Sequence, residues 1–325
     1  MPVEQRTIGA EDADQRLDRW FRRHFPTLGH GRLEKLLRTG QIRVDGRRAK
    51  ASDRLAPGQV LRIPPIDLAP APKAEPAEID EREAAALRSR VLHKDAEVLV
   101  IDKPAGLAVQ GGTGTDRHLD GLLEALRFEA DERPRLVHRL DRDTSGVLVL
   151  ARTAAAARWL GEEFKGRDAD KVYWAVTSGV PKPRAGRIDL KLAKLPGRAG
   201  ERMTVDDRGG KRAVTDYAVV EEVRGVAAWV ALKPITGRTH QLRAHLEAIG
   251  HPILGDGKYG GKAAHPDLAE APKQLQLHAR SIALRRPDGR LLRVEAPLPA
   301  HMKKTWADFG FSARPDRDPF AERRP

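Results

Sequence analysis

The sequence predicts an α+β protein, in which a small α/β unit precedes a larger domain built on a mostly antiparallel, mixed sheet. Three observations point there. Apolar runs rich in β-branched residues outnumber amphipathic helical stretches and do not alternate regularly with them, which disfavours a doubly wound parallel sheet. A Pro- and Ala-rich stretch, Asp67–Ala77, interrupts the chain with little to bury and reads as a semi-stiff linker. Ahead of it, two short helical patterns are followed by strands and a tight turn. The expected layout is a front unit over 13–65, a linker over 66–87, a large domain over 88–312 and a flexible tail over 313–325.

In the front unit Leu17, Trp20, Phe21 and Phe25 recur at helical spacing. Leu33, Leu36 and Leu37 mark a second helix, which Gly40 ends. Gln41–Val44 with Asp45-Gly46 predicts a strand and tight turn, and Val60–Ile63 a closing strand. In the large domain, strands are expected at Glu97–Ile101, Val147–Leu150, Val172–Val176, Val214–Val220 and Ala227–Leu232. Helices are expected at Asp120–Leu126 and Ala154–Phe164, with Asp120 and Thr153 as N-caps. A third is expected from His240 to Ile249, capped by Gly250, with Leu242 and Leu246 facing the core.

Composition narrows the function classes. At 325 residues with 40% hydrophobic and 32% charged, the chain fits a soluble globular protein. No apolar run approaches the roughly 20 residues of a membrane span. Met1–Arg6 lacks a basic-then-apolar export signal, and the absence of cysteine excludes disulfides and thiolate chemistry, so a cytoplasmic location is expected. A net charge of +13 points to a polyanionic partner, nucleic acid above all, with a basic protein that has no such partner as the alternative. The front unit carries 14 Lys and Arg against 8 Asp and Glu between Met1 and Pro65. Arg32, Lys35, Arg38, Arg43, Arg47 and Arg48 lie on or beside the second helix and its hairpin. They read either as a solvated face or as a surface that tracks phosphates without reading bases. No self-association stripe is evident, so a monomer is expected.

Two stretches concentrate chemistry. Val137–Gly146 gathers His138, Arg139, Asp141, Arg142, Asp143, Thr144 and Ser145 just ahead of an apolar strand, placing reactive groups on a loop fastened to a rigid element. A salt-bridged turn would use the same residue types. Asp141-x-Asp143-x-Ser145-Gly146 copies the opening of a calcium loop, but its twelfth position is Arg152, which rules that reading out. Pro234–Leu246 is the second stretch, with Arg243 one turn inside a helix of apolar neighbours; it needs an anion, and Glu247 is one candidate. His240 and His245 are five apart, not four, and lack an acidic third ligand, so no metal site is expected. Gly111–Gly114 lacks the spacing of a phosphate loop and reads as a flexible loop.

His138–Gly146, followed about a hundred residues later by Thr236–His245, resembles the RluA family of pseudouridine synthases. Asp102–Leu107 and Lys171-Val172-Tyr173 agree with it, and the order and separation of the two long motifs make the likeness specific. Gly31–Gly46 resembles an S4 RNA-binding domain, so the likeness spans about Asp14 to Pro299, closest to the RluC and RluD type that act on large-subunit (23S) ribosomal RNA.

The resemblance implies an isomerase that breaks the N1–C1′ bond of specific uridines in structured RNA and rejoins the uracil through C5, needing no cofactor. It implies Asp141 as the catalytic carboxylate, with Asp143 as a rival better explained as a turn residue bonding its own backbone. It implies Arg243 as the partner of Asp141, within hydrogen-bonding distance. Arg139 would fill the space left by a flipped base, Tyr173 would lie against the uracil, and Leu277 would line an apolar pocket. A non-catalytic RNA-binding factor and a metal-dependent RNA hydrolase are the competing classes. The intact Asp141, Tyr173 and Arg243 argue against the first, and the lack of acidic ligand clusters against the second.

Overall fold

In the computed structural model the described residues are 3–9, 12–66, 80–111, 117–166, 169–195, 202–264, 272–315 and 318–320. They fall into two units, Met1–Ile79 and Asp80–Pro325.

The first unit packs helices α1 (Leu17–His24) and α2 (His30–Arg38) with a four-stranded antiparallel sheet. Its strands β1 (Glu4–Thr7), β2 (Arg43–Val44), β3 (Arg47–Arg48) and β4 (Val60–Ile63) lie in the order β1-β4-β2-β3. Leu17, Trp20, Phe21, Leu33, Leu37, Ile42, Leu61 and Ile63 form its core, because the helical and alternating apolar positions converge on one interior. Asp45 and Gly46 take φ of 50° and 74°, the left-handed pair that a two-residue hairpin turn requires. β1 lies ahead of the expected boundary at residue 13 and is set by pairing with β4, with Glu4 opposite Ile63. Arg32, Lys35, Arg38, Arg47 and Arg48 are exposed. Arg43 is exposed as well, but its Nε donates to Gly40 O at 3.1 Å and Nη1 to Gly46 O at 3.2 Å, bracing the hairpin.

The second unit begins with α3 (Glu81–Arg88), which lies within the segment read as linker. Asp80 caps it, accepting from Arg82 N–H at 2.9 Å, and Ala84 and Leu87 are buried one turn apart. Residues 67–79, the rest of that segment, lie outside the described residues, as do 112–114 of the glycine loop.

The large mixed sheet is built from β5 (Val91–Lys94), β6 (Val98–Lys103), β7 (Arg135–Leu136), β8 (Ser145–Ala151), β9 (Asp170–Ser178), β10 (Ala185–Lys194), β11 (Met203–Val205), β12 (Lys211–Val223), β13 (Ala227–Pro234), β14 (Leu277–Arg285) and β15 (Leu291–Glu295). Its order is β11-β10-β12-β13-β9-β14-β8-β6-β5, with β15 on β14 and β7 on β8. All described pairings are antiparallel except β14 with β8, where His278 faces Ser145 and Ala279 faces Gly146. β8 is buried along its whole length, as its unbroken apolar run requires of a strand covered on both faces. Helix α5 (Ala154–Gly166), capped by Thr153 Oγ1, packs Ala156 and Leu160 on Val98, Val100, Val147 and Val149.

Three details differ from the expected elements. The segment after His118 is one turn of α-helix, α4 (Leu119–Leu122), continued as a 3₁₀ turn to Leu126. His118, not Asp120, caps it, and Asp120 instead meets Arg133 at 3.1 Å. The segment expected as a loose tail contributes Phe320, 4% exposed, to an aromatic core with Trp174, Trp229 and Trp306 of α7 (Ala300–Phe309). Burial of a large aromatic ring outweighs the polar, proline-rich composition around it. Among the described residues no helix is long and apolar enough to cross a membrane.

Candidate active site

The loop Val137–Thr144 joins β7 to β8, two strands that pair with each other, so its ends are fixed on the sheet. His138 anchors its start: the ring accepts from Val149 N–H at 2.8 Å through Nε2 and stacks on Phe164 at 4.2 Å. Burial, with Lys171 nearby, holds its pKa down at about 3, so it is a neutral ring with its proton on Nδ1. The other end is stitched to the Pro104–Leu107 loop. Gly106 N–H donates to Arg142 O at 2.9 Å, and Arg142 Nε returns a bond to Gly106 O at 3.1 Å. At Gly146, φ is 107° and a Cβ would fall 2.2 Å from Ala279 O; only glycine lets β14 approach here.

Lys103 locks this arrangement. Fully buried at the end of β6, its Nζ donates to Pro104 O, Leu107 O and Arg142 O, each at 2.9 Å. Burial pulls its pKa down to about 7, opposed by the nearby charges of Asp143, Asp141 and Asp102. Three carbonyl acceptors match the three N–H groups of the ammonium, the form these contacts favour. Lys103→Met should therefore cost about 2–4 kcal/mol of stability by orphaning buried carbonyls. It should also slow catalysis roughly 10²-fold by releasing the loop, with RNA affinity near the parent's. Urea unfolding and single-turnover kinetics check this, and an unchanged rate would show that the loop holds itself.

The second motif is held by Gln241 at the start of α6 (Gln241–Ala248). Its side chain accepts from Thr236 Oγ1 at 2.6 Å and Arg238 N–H at 3.0 Å, and donates to Val214 O and Thr215 Oγ1 at 2.9 Å. His240 takes a left-handed φ of 50°, a conformation costing about 1–2 kcal/mol, and is tied to the Tyr259 hydroxyl at 2.9 Å.

Both motifs open on a cavity of about 310 Å³ lined by Asp141, Arg139, Tyr173, Arg243 and Leu277. All five candidate residues of the large domain, drawn from four separate elements, thus meet in one place. Arg139 is exposed at its rim, with Nη2 donating to Thr239 Oγ1 at 2.8 Å. Tyr173 on β9 and the buried Leu277 on β14 form a wall. Burial and the adjacent Asp141 charge push the Tyr173 phenol well above its ordinary pKa, so the hydroxyl keeps its proton. Among the described residues no group of three or more His, Asp or Glu could hold a metal ion.

The pairing of Asp141 with Arg243 differs from expectation. Asp141 Oδ2 lies 3.9 Å from Arg243 Nη1, an ion pair, and Oδ1 lies 3.9 Å from His240 Nε2; both contacts are longer than hydrogen bonds. The guanidinium's fork is taken by Asp256, which accepts from Nε and Nη2 at 2.7 Å each. Burial draws the Arg243 pKa down, but Asp256 more than compensates and leaves it raised. Its guanidinium carbon also sits 4.9 Å from the centre of the Tyr259 ring. Glu247 meets Arg202 instead, at 3.7 Å. Asp143 is exposed, and the turn is closed by Thr144 N–H donating to Asp141 O at 3.2 Å; no bond from the Asp143 carboxylate to its own backbone is present.

Asp256 and Tyr259 had no distinct signal in the sequence, whereas Lys103 lies in the Asp102–Leu107 stretch that shares in the family likeness. Gly255-Asp256-Gly257 reads as an ordinary turn, although Gly255, at φ 74°, would place a Cβ 2.0 Å from Gln274 O. The six basic residues of the front unit belong to the other unit.

Comparison with known proteins places the geometry in a family. Residues 97–248 match the RNA pseudouridylate synthase family. The chain is 36% identical over 301 residues to the ribosomal large subunit pseudouridine synthase C of Escherichia coli (strain K12), covering 91% of this chain and 93% of that protein. It is 35% identical to the Haemophilus influenzae protein of the same name, with 93% of each covered. Among solved structures, human RNA pseudouridylate synthase domain containing 4 matches with a TM-score of 0.58 and 32% identity, covering 70% of this chain and 95% of that one. With such identity running through nine-tenths of its length and both motifs converging on one cavity, the chain belongs to the RluA family of RNA pseudouridine synthases and is RluC-like.

Proposed function

We propose that this protein isomerises uridines of large-subunit ribosomal RNA to pseudouridine in the cytoplasm, as a monomer, with Asp141 as the initiating carboxylate. The observation that carries the reading is one carboxylate, Asp141, set between Arg243 and His240 at the edge of a cavity walled by Tyr173 and Leu277. The names of the relatives support the substrate class. The reaction leaves the composition and oxidation state of the nucleotide unchanged, the proton released from C5 being balanced by one gained at N1, so it calls for no cofactor.

The target base must leave its stack, at a cost of a few kcal/mol. Arg139, exposed at the rim and steadied by Thr239, is placed to stack in the vacated position. The uracil then lies against Tyr173 and Leu277 with its ribose toward Asp141. The carboxylate answers the electron demand at the ribose as the N1–C1′ bond opens, by attack or by removing a proton. Arg243, fixed by Asp256, sets the field around it. A neighbouring groove of about 520 Å³ shares His240 and Arg243 and presents Arg142, Lys258 and Lys273, a course suited to the flanking phosphates.

In this reading the front unit is an S4-like RNA-binding domain, with Arg32, Lys35, Arg38, Arg47 and Arg48 contacting phosphates while Arg43 supports the hairpin. Replacing Lys35, Arg38 and Arg47 together with alanine should weaken RNA binding and flatten the log–log dependence of affinity on salt by roughly 2. Turnover at saturating RNA should stay near the parent's. An unchanged salt slope would remove the front unit from the RNA path.

The test of the activity is tritium release from unmodified large-subunit ribosomal RNA labelled at uridine C5, without added metal or nucleotide. The parent should release tritium in step with pseudouridine formed, and Asp141→Asn should not. Tight binding with release by neither would favour a non-catalytic RNA-binding factor.

A further inference from the structure

Among the cations lining the cavity, the partly buried Lys171 is left without a role by the mechanism above. Lys171 lies on β9 two residues before Tyr173, so both side chains point to the same face and line the cavity. The alternate residues Asp170, Val172 and Trp174 line a different cavity on the opposite face. Lys171 is partly buried, and among the described residues its ammonium meets no hydrogen-bond acceptor and no carboxylate within ion-pair distance. Asp170, its neighbour in sequence, is engaged by Lys233 at 2.9 Å. Asp141 lines the same cavity but makes no ion pair with Lys171; of the other groups, His138 is a neutral ring, and Phe164 and Leu277 are apolar. Burial draws the Lys171 pKa below the ordinary lysine range.

Withdrawing a cation from water without a partner costs several kcal/mol. The fold keeps this one aimed into a cavity, so its acceptor arrives with the ligand. An RNA strand offers phosphate oxygens and base carbonyls. The phosphates belong at the mouth, where Arg139 and Arg238 are exposed. The base is the part of the nucleotide that enters, and its ring meets the Tyr173 face that Lys171 shares.

Building on the synthase reading, we propose that Lys171 donates to a carbonyl oxygen of the flipped uracil and stabilises the negative charge on the base as the glycosidic bond breaks. The electron pair of the N1–C1′ bond leaves on the uracil and spreads over N1 and the 2- and 4-carbonyl oxygens. Lys171 keeps its protons throughout. When C5 bonds C1′, the C5 proton is released and N1 gains one, so no co-reactant is consumed. Lys171 is then a catalytic residue of the same electrostatic kind as an oxyanion-hole donor.

The test uses the full chain and an RNA fragment whose target uridine has been mapped from pseudouridine made by the parent. That uridine is supplied unmodified, as 2-thiouridine and as 4-thiouridine. Lys171→Met should slow the single-turnover rate roughly 10²–10³-fold with little change in the RNA dissociation constant, and Lys171→Arg should recover at least part of the rate. Sulphur at the contacted oxygen should slow the parent and add little to the slowing already caused by Lys171→Met. The substrate series on the parent alone needs no variant: rates indifferent to sulphur at both positions overturn the contact. An unchanged rate in Lys171→Met, a loss confined to binding, or equal sulphur effects in parent and variant overturns it as well. A parent that makes no pseudouridine would instead fail the synthase reading itself.

Discussion

Asp141→Asn is expected to lower the single-turnover rate of pseudouridine formation by roughly 10⁴-fold or more, with RNA affinity close to the parent's. The substitution keeps the shape of the side chain and removes only its charge and basicity. Asp141 is 24% exposed in its side chain, and Arg243 Nη1 and His240 Nε2 each stand 3.9 Å away, so no hydrogen bond to Arg243 or His240 is lost. The counter-charge of Arg243 remains in place through Asp256. Stability should accordingly stay within about 0.5 kcal/mol of the parent, as for substitutions away from buried networks. Rapid-quench kinetics with saturating enzyme, alongside a urea titration, would measure both. A variant that retains a tenth or more of the parent rate would move the chemistry to another group, with Asp143 the first to examine.

Asp256→Ala is expected to have the largest effect on stability, a loss of about 3–5 kcal/mol. The Asp256 carboxylate is 0% exposed and neutralises a guanidinium whose side chain is only 7% exposed, so its removal strands a buried cation. It also takes an acceptor from Lys258 N–H at 3.2 Å and Tyr259 N–H at 3.1 Å. Once unpaired, Arg243 can swing toward Asp141, and the rate should fall roughly 10²-fold through lost positioning. The double variant Arg243→Met with Asp256→Leu separates the two roles. Replacing a buried pair with apolar groups of similar size should recover most of the stability, while the rate stays low because the guanidinium is gone. Tryptophan fluorescence during urea unfolding reports the first quantity and single-turnover kinetics the second. If Asp256→Ala unfolds like the parent, the fork is not what holds Arg243.

What the residues determine locally was legible without coordinates. The Asp45-Gly46 turn, the Thr153 cap, the β8 run and the Leu242 and Leu246 face of α6 depend on neighbours within a few positions, and pattern alone reveals them. The motifs around Asp141 and Arg243 were visible as dense polar stretches, but their meeting could be inferred only from resemblance to a family. Several elements had no such local signature. β10 buries residues on one side only, with charges at Arg187, Asp189 and Lys191, and its place is set by pairing with β12. β14 gains its identity from parallel contact with β8 at a glycine 133 residues earlier, through the Ala279–Gly146 pair. The segment behind α3 read as linker because Ala84 and Leu87 bury too little surface to announce a helix without the layer that covers them.

The finer chemistry of the site belongs to the same class of long-range facts. A hydrogen bond needs atoms within about 3 Å, and residue spacing in a loop does not specify that distance. Lys103 gathering carbonyls from two loops, Asp256 taking the fork that Asp141 was expected to share, and Lys171 left facing the cavity without an acceptor were decided by tertiary structure. Residue type determines what each group can do; packing of the sheet and its loops determines which groups meet, because the stability of those contacts comes from burial that no single segment achieves alone.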